Sequence, residues 1–207
     1  MRLSRSTGSR LGLLGALGVA LFGLSLGAVL VQSDGAAALP PLLARTVRWS
    51  LWLGVGPLAL AIANARPERD RADGVEALAA LRGISRAHVE VARVLAAVVQ
   101  TTLRCAVPIV GLCAALALLF WQAAPLLLAL AVGFCGVSLA AGLVVGGVAS
   151  LCGRLGGRRG RTLLLAAVLL PWLLAGELGH PFASMPGLLD LVLSAAVDWA
   201  SVVGGLR

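Results

Sequence analysis

The residues of this chain that could do chemistry are few and scattered. In GELGHPF, Glu177 and His180 form a titratable pair with Trp172 close by in sequence, a set that could contact haem or a metal ion. A plain loop with a solvated histidine beside Pro181 explains the same stretch. Arg104 follows Arg93 by about three helical turns, roughly 16 Å, inside an apolar run. A charge at that depth marks a functional site by default, and Asp190 or Asp198 could pair with it. The alternative is a helix that protrudes from the bilayer and lets Arg104 snorkel to the interface. GRRGRT, 157–162, superficially resembles a phosphate loop, which needs G-x-x-x-x-G-K-[ST] with lysine on the β/γ-phosphates. Leu155 and Arg161 break that pattern, so the stretch reads as a Gly-rich turn held at lipid headgroups. There is no H-E-x-x-H and no C-x-x-C-H, and no serine or aspartate has a recognisable base within reach. No catalytic residue and no metal site is expected. Cys105, Cys113, Cys135 and Cys152 all fall in apolar segments without a C-x-x-C pair, which suits small packing residues.

The elements that must position these residues are dictated by composition. Of 207 residues, 59% are hydrophobic and 13% charged, about half the charged fraction of a soluble domain. The mean hydropathy is +0.98. Such a chain has too little polar surface to face water, so it belongs in a membrane as a single domain spanning 1–207. The net charge of +8 comes from arginines alone, without lysine. They cluster at the ends of apolar runs, where they meet lipid phosphates and fix orientation, and nucleic acid is not an expected partner.

Residues 11–31 are 21 apolar or small residues after Arg2, Arg5 and Arg10. An apolar helix of about 20 residues crosses a hydrocarbon core of about 30 Å. A signal peptide with a cleavage site near GAAA is the competing explanation, but signal h-regions run to only about 7–15 residues. Further spans are expected at 49–65, 94–121, 126–152, 162–176 and 186–206. The last is the weakest, because Asp190 and Asp198 fall within it and each costs about 2.5–3.5 kcal/mol at a helix centre. The expected fold is an all-α integral membrane bundle of six transmembrane helices, or five if 186–206 lies on the surface, with a short cytoplasmic coupling helix between spans 2 and 3. Gly23 and Gly27, then Gly142, Gly146 and Ser150, have the small-residue spacing that lets membrane helices approach closely. Pro57, Pro108 and Pro171 sit inside spans and are expected to kink them.

With six spans, the N-terminal segment, residues 66–93, the 153–161 loop and the C-terminus share a side and carry 14 arginines, against Arg45 and Arg48 on the other. The positive-inside rule places those regions in the cytoplasm and the chain in a bacterial inner membrane, both termini inside.

Residues 66–93 form a charged island between two apolar spans. After Asp73 and Gly74, Val75, Leu78, Leu81 and Ile84 recur at helical spacing, while Glu76, Arg82 and Arg86 fall mostly elsewhere. That predicts a short amphipathic helix, a turn, and a helix running into the third span. Periodicity alone leaves two roles open, a docking element or an interfacial helix resting on headgroups.

The order DG, VEALAAL and GISRAHVEVAR before a long span resembles the cytoplasmic coupling region of type-2 ABC exporter permeases. The residues carrying the likeness are Asp73, Gly74, Val75, Glu76 and Leu78, then Ile84, Ser85 and Arg86 at the turn, and Arg93 at the basic position. Gly83 stands where that family usually has proline. Within the class, the chain is most similar to the permease-like B subunit of the haem-exporter, or cytochrome c maturation, system. GRRGRTLLLAAVLLPWLL resembles that family's basic loop and the span after it, and the likeness extends over about residues 45–207.

The resemblance implies a permease subunit that is not itself an enzyme and works as a homodimer or heterodimer. ATP and Mg would be bound by a separate cytosolic P-loop ATPase, and haem is a candidate substrate. Val75, Leu78 and Leu81 would anchor in the ATPase groove, with Glu76, Arg82 and Arg86 at the polar rim. A scaffold or assembly factor holding a soluble partner through 73–93 is the alternative function. A membrane-embedded enzyme would require an ionisable pair inside the bundle.

Overall fold

The computed structural model describes residues 7–34, 38–63, 74–155, 157–178 and 184–204, and every regular element among them is helical. In chain order these are α1 (Thr7–Asp34), α2 (Leu39–Ala63), α3 (Val75–Leu81), α4 (Arg86–Leu119), α5 (Trp121–Gly153), α6 (Gly157–Leu178) and α7 (Met185–Val203). Among the described residues, α2, α4, α5 and α7 are long and apolar enough to cross a membrane, and α1 adds a shorter apolar stretch, Leu14–Gly27. The six crossings expected from hydropathy are therefore four by this measure.

Close approach between helices follows the small residues. A Cβ on Gly23 would sit 2.9 Å from the Thr46 side chain, and one on Gly27 would touch Leu42 and Leu116, so α1 lies against α2 and α4. On α5, a Cβ on Gly142 would meet the Val98 carbonyl oxygen at 2.9 Å, and one on Gly146 the Ala97 carbonyl oxygen at 3.1 Å. These glycines bring the α4 and α5 backbones together where lipid supplies no hydrophobic drive. The buried hydroxyls of Thr46, Thr101 and Ser138 donate to the carbonyls of Leu42, Ala97 and Phe134 within their own helices.

Two helices carry a wider π turn, Leu51–Val55 in α2 and Gly142–Gly146 in α5. The first has a direct cause. Pro57 has no N–H and its ring crowds the carbonyl four residues earlier, that of Leu53. The chain relaxes by letting the Gly56 N–H reach back to the Leu51 carbonyl. Gly15 of α1 makes room there, since a Cβ on it would lie 2.7 Å from the Leu53 oxygen. Pro40, by contrast, occupies the first turn of α2, where its missing donor has no helical partner to lose.

Helix directions follow from the same contacts. α4 and α5 are antiparallel across a short turn, α2 ends beside Gly153 of α5, and α6 begins where Gly160 abuts the Ala63 and Cys152 carbonyls. The ends of α2 and α5, the start of α4 and the start of α6 thus share one end of the bundle with α3. The expected basic loop at 153–161 is shorter than its sequence suggests, because Arg158, Arg159 and Arg161 already belong to the first turns of α6.

The last helix departs from the expected up-and-down order, in which it returns to the α3 end. Gly133 of α5 packs against Ala196, and Leu126 packs against Gly204 just past the end of α7. α7 is therefore antiparallel to α5 and ends beside the α4–α5 turn, opposite α3. Met185 and Pro186 at the start of α7 line one cleft with Leu164, Leu165, Val168 and Leu169 of α6. α7 thus runs away from the α3 end, the reverse of the expected direction. Val203, the last residue of α7, therefore lies opposite α3, whereas a sixth up-and-down span would end on the α3 side.

Candidate functional site

The charged island builds a helix–turn–helix. Gly74 precedes α3 with φ +69°, a left-handed conformation that suits glycine. α3 closes on Gly83, at φ +70°, with the Ile84 N–H on the Ala79 carbonyl at 2.9 Å and the Gly83 N–H on the Ala80 carbonyl at 3.0 Å. That double bond pattern is a Schellman cap. Two residues on, Ser85 caps α4: its side chain accepts from the His88 N–H and lies 2.7 Å from His88 Nδ1. Gly83 and Ser85 thus end one helix and start the next, as the sequence pattern of helix, turn and helix predicts.

The apolar residues of this element are uncovered. Leu78 is 58% exposed, Leu81 83% and Ile84 44%, with Arg82 and Arg86 exposed beside them. Asp73 lies outside the described residues, as do the side chains of Val75 and Glu76. From Arg86 the chain continues as one 34-residue helix, about 50 Å long. Its first turns are braced to α5, because Glu90 binds Arg93 and also Arg154 at 3.6 Å.

A second constellation lies within the bundle. A cleft of about 380 Å³ opens between α2, α5, α6 and α7. Both π turns contribute to its wall, Leu51, Trp52 and Val55 from one and Val145 from the other. Among the described residues its charged lining residues are Arg48 and Asp190, joined by Arg48 Nε donating to Asp190 Oδ1 at 2.9 Å. Arg48 sits within α2, with roughly 22 Å of helix between it and the Ala63 end.

The partner that the structure gives Asp190 is Arg48, a pairing that the sequence pattern of Arg104, Asp190 and Asp198 does not include. Arg48 and Asp190 are opposite charges in otherwise apolar stretches, a signal that allows this pairing without selecting it over Arg45 or Asp198. Hydropathy starts the second span at residue 49 and leaves Arg48 outside it, whereas α2 starts at Leu39. Arg104 is half-buried on α4, and Asp198 is exposed on α7, its carbonyl accepting from the Ser201 hydroxyl. Of the expected Trp172, Glu177 and His180 set, Glu177 is exposed, while the Trp172 side chain and all of His180 lie outside the described residues. Among the described residues no group of three or more metal-ligating side chains comes together.

Comparison with family models, with curated proteins and with solved structures gives no match.

Proposed function

We propose that this chain is the membrane-spanning permease subunit of an ABC-type exporter, driven by a separate P-loop ATPase that grips α3. The observation that carries the proposal is the exposed Leu78, Leu81 and Ile84 face, presented on a capped helix–turn–helix at the foot of a single long helix. Uncovered apolar side chains rimmed by arginines match a partner groove with an apolar floor and an acidic rim. Closure of two ATPase subunits around ATP would push on α3, and α4 would pass the displacement to α5 through their close glycine contacts. The likeness of residues 73–93 to exporter coupling regions supports this choice over a static scaffold. The haem-exporter likeness names haem as the substrate to try first.

The test is co-purification of the full chain from its native membrane. A P-loop ATPase is expected to come down with it, and Leu78→Asp with Leu81→Asp should release the ATPase while the subunit stays folded, since both side chains are exposed. A bound partner without a nucleotide site would overturn the permease proposal in favour of a scaffold.

A further inference from the structure

The cleft at Arg48 and Asp190 has a chemistry that the ATPase coupling does not use. One bond closes the ion pair, from Arg48 Nε to Asp190 Oδ1. A guanidinium has five N–H donors and a carboxylate about four acceptor sites. Among the described residues neither group has a second partner, so the two terminal guanidinium nitrogens and Asp190 Oδ2 remain to offer. Both side chains stay about half exposed, 56% for Arg48 and 47% for Asp190. Apolar walls surround them, formed by Trp52, Val55, Val145, Leu164 and Val168.

A ligand with a net charge fits this setting poorly. The pair is neutral as a whole, so an added anion or cation would stand uncompensated beside apolar walls, where desolvation is costly. A ligand carrying an anion and a cation a few bonds apart adds no net charge. It would place its anion on the fork of Arg48, which suits phosphate, and its cation on Asp190 Oδ2, without breaking the existing bond. The cleft volume of about 380 Å³ lies at the small end of ligand sites, enough for one apolar chain rather than two. Leu165 and Leu169 at its edge are exposed and offer a surface for the remainder.

We propose that this cleft is a binding site for a zwitterionic membrane lipid with a primary ammonium, phosphatidylethanolamine, held phosphate-to-Arg48 and ammonium-to-Asp190 with one acyl chain in the cleft. The site stands or falls independently of the ATPase at α3.

Native mass spectrometry of the full-length chain tests it. The probes are phosphatidylethanolamine, phosphatidylcholine and phosphatidylglycerol of identical acyl chains. Phosphatidylethanolamine should bind at least tenfold more tightly than either of the others, because a quaternary ammonium has no N–H for Asp190 and phosphatidylglycerol has no cation. Asp190→Asn should erase the preference over phosphatidylcholine, and Arg48→Gln should weaken both. Arg45→Gln, in the separate groove between α1 and α2, should change neither. Should the ion-pair variants misfold, Leu165→Trp leaves the pair intact, fills the cleft and should lower phosphatidylethanolamine binding tenfold. Equal binding of the three lipids, tightest binding of phosphatidylglycerol, or a preference that survives Asp190→Asn overturns the proposal. So does a soluble glycerophosphoethanolamine headgroup that binds as tightly as the lipid, because the apolar cleft would then contribute nothing.

Discussion

Gly142→Ala isolates the contact that holds α4 and α5 together. A methyl group added there would collide with Thr102 Oγ1 and lie 2.9 Å from the Val98 carbonyl oxygen and 3.2 Å from Thr102 Cβ. The Thr102 hydroxyl can rotate away, and doing so breaks nothing, since its buried oxygen has no hydrogen-bond partner among the described residues. The Val98 carbonyl is helix backbone and moves only if α4 moves. Overpacking of this kind costs about 1–3 kcal/mol, and the 2.9 Å approach to a backbone carbonyl, which has no rotamer to yield, places Gly142 toward the upper end. Against it stands the gain of about 1 kcal/mol from replacing glycine by alanine in a helix. The net destabilisation is about 2 kcal/mol, or roughly 30-fold in the folding equilibrium at 1.4 kcal/mol per tenfold. Gly136 on the same helix is the control, because a Cβ there meets nothing within 4 Å. Gly136→Ala should stabilise by up to about 1 kcal/mol. Equilibrium unfolding of the purified chain in mixed micelles, followed by tryptophan fluorescence, measures both. If Gly142→Ala proves neutral or stabilising like Gly136→Ala, the close α4–α5 contact is wrong.

Other outcomes follow from single features. Gly83→Ala places a side chain at φ +70° and should cost about 1–2 kcal/mol, lowering the helicity of the α3 segment and, on the proposed function, the coupled ATPase rate. A cysteine at exposed Leu81 and one at exposed Val203, each in a background freed of the four native thiols, should react with an impermeant maleimide from opposite membrane faces. Labelling of both from one face refutes the direction assigned to α7. Glu90→Gln removes the carboxylate shared by Arg93 and Arg154, and because Arg154 is 55% exposed the loss should stay within about 1 kcal/mol, read as a small shift in the same unfolding assay.

Much of the architecture could be read before any coordinates. Apolar run length announced the helices, and the glycines at 23, 27, 142 and 146 announced where they would touch. The island was legible too, since Gly83 and Ser85 are strong stop and start signals and each sits where a cap needs it. α6 was less so, because its first turns are arginines and glycines that look like loop. Its helical state comes from Gly160 fitting against the ends of α2 and α5.

The sequence by itself determined that this chain lives among lipids as helices, where they pack, and that an exposed amphipathic hook precedes α4. These are properties of segments, set by hydrophobic length, backbone freedom and local hydrogen bonding. Only the tertiary structure decided that Asp190 meets Arg48, that two π turns wall one cleft, and that α7 ends opposite α3. Hydropathy carries no direction. Direction is inferred by counting crossings, whereas that of α7 is set by packing, because Ala196 and Gly204 meet Gly133 and Leu126 of α5.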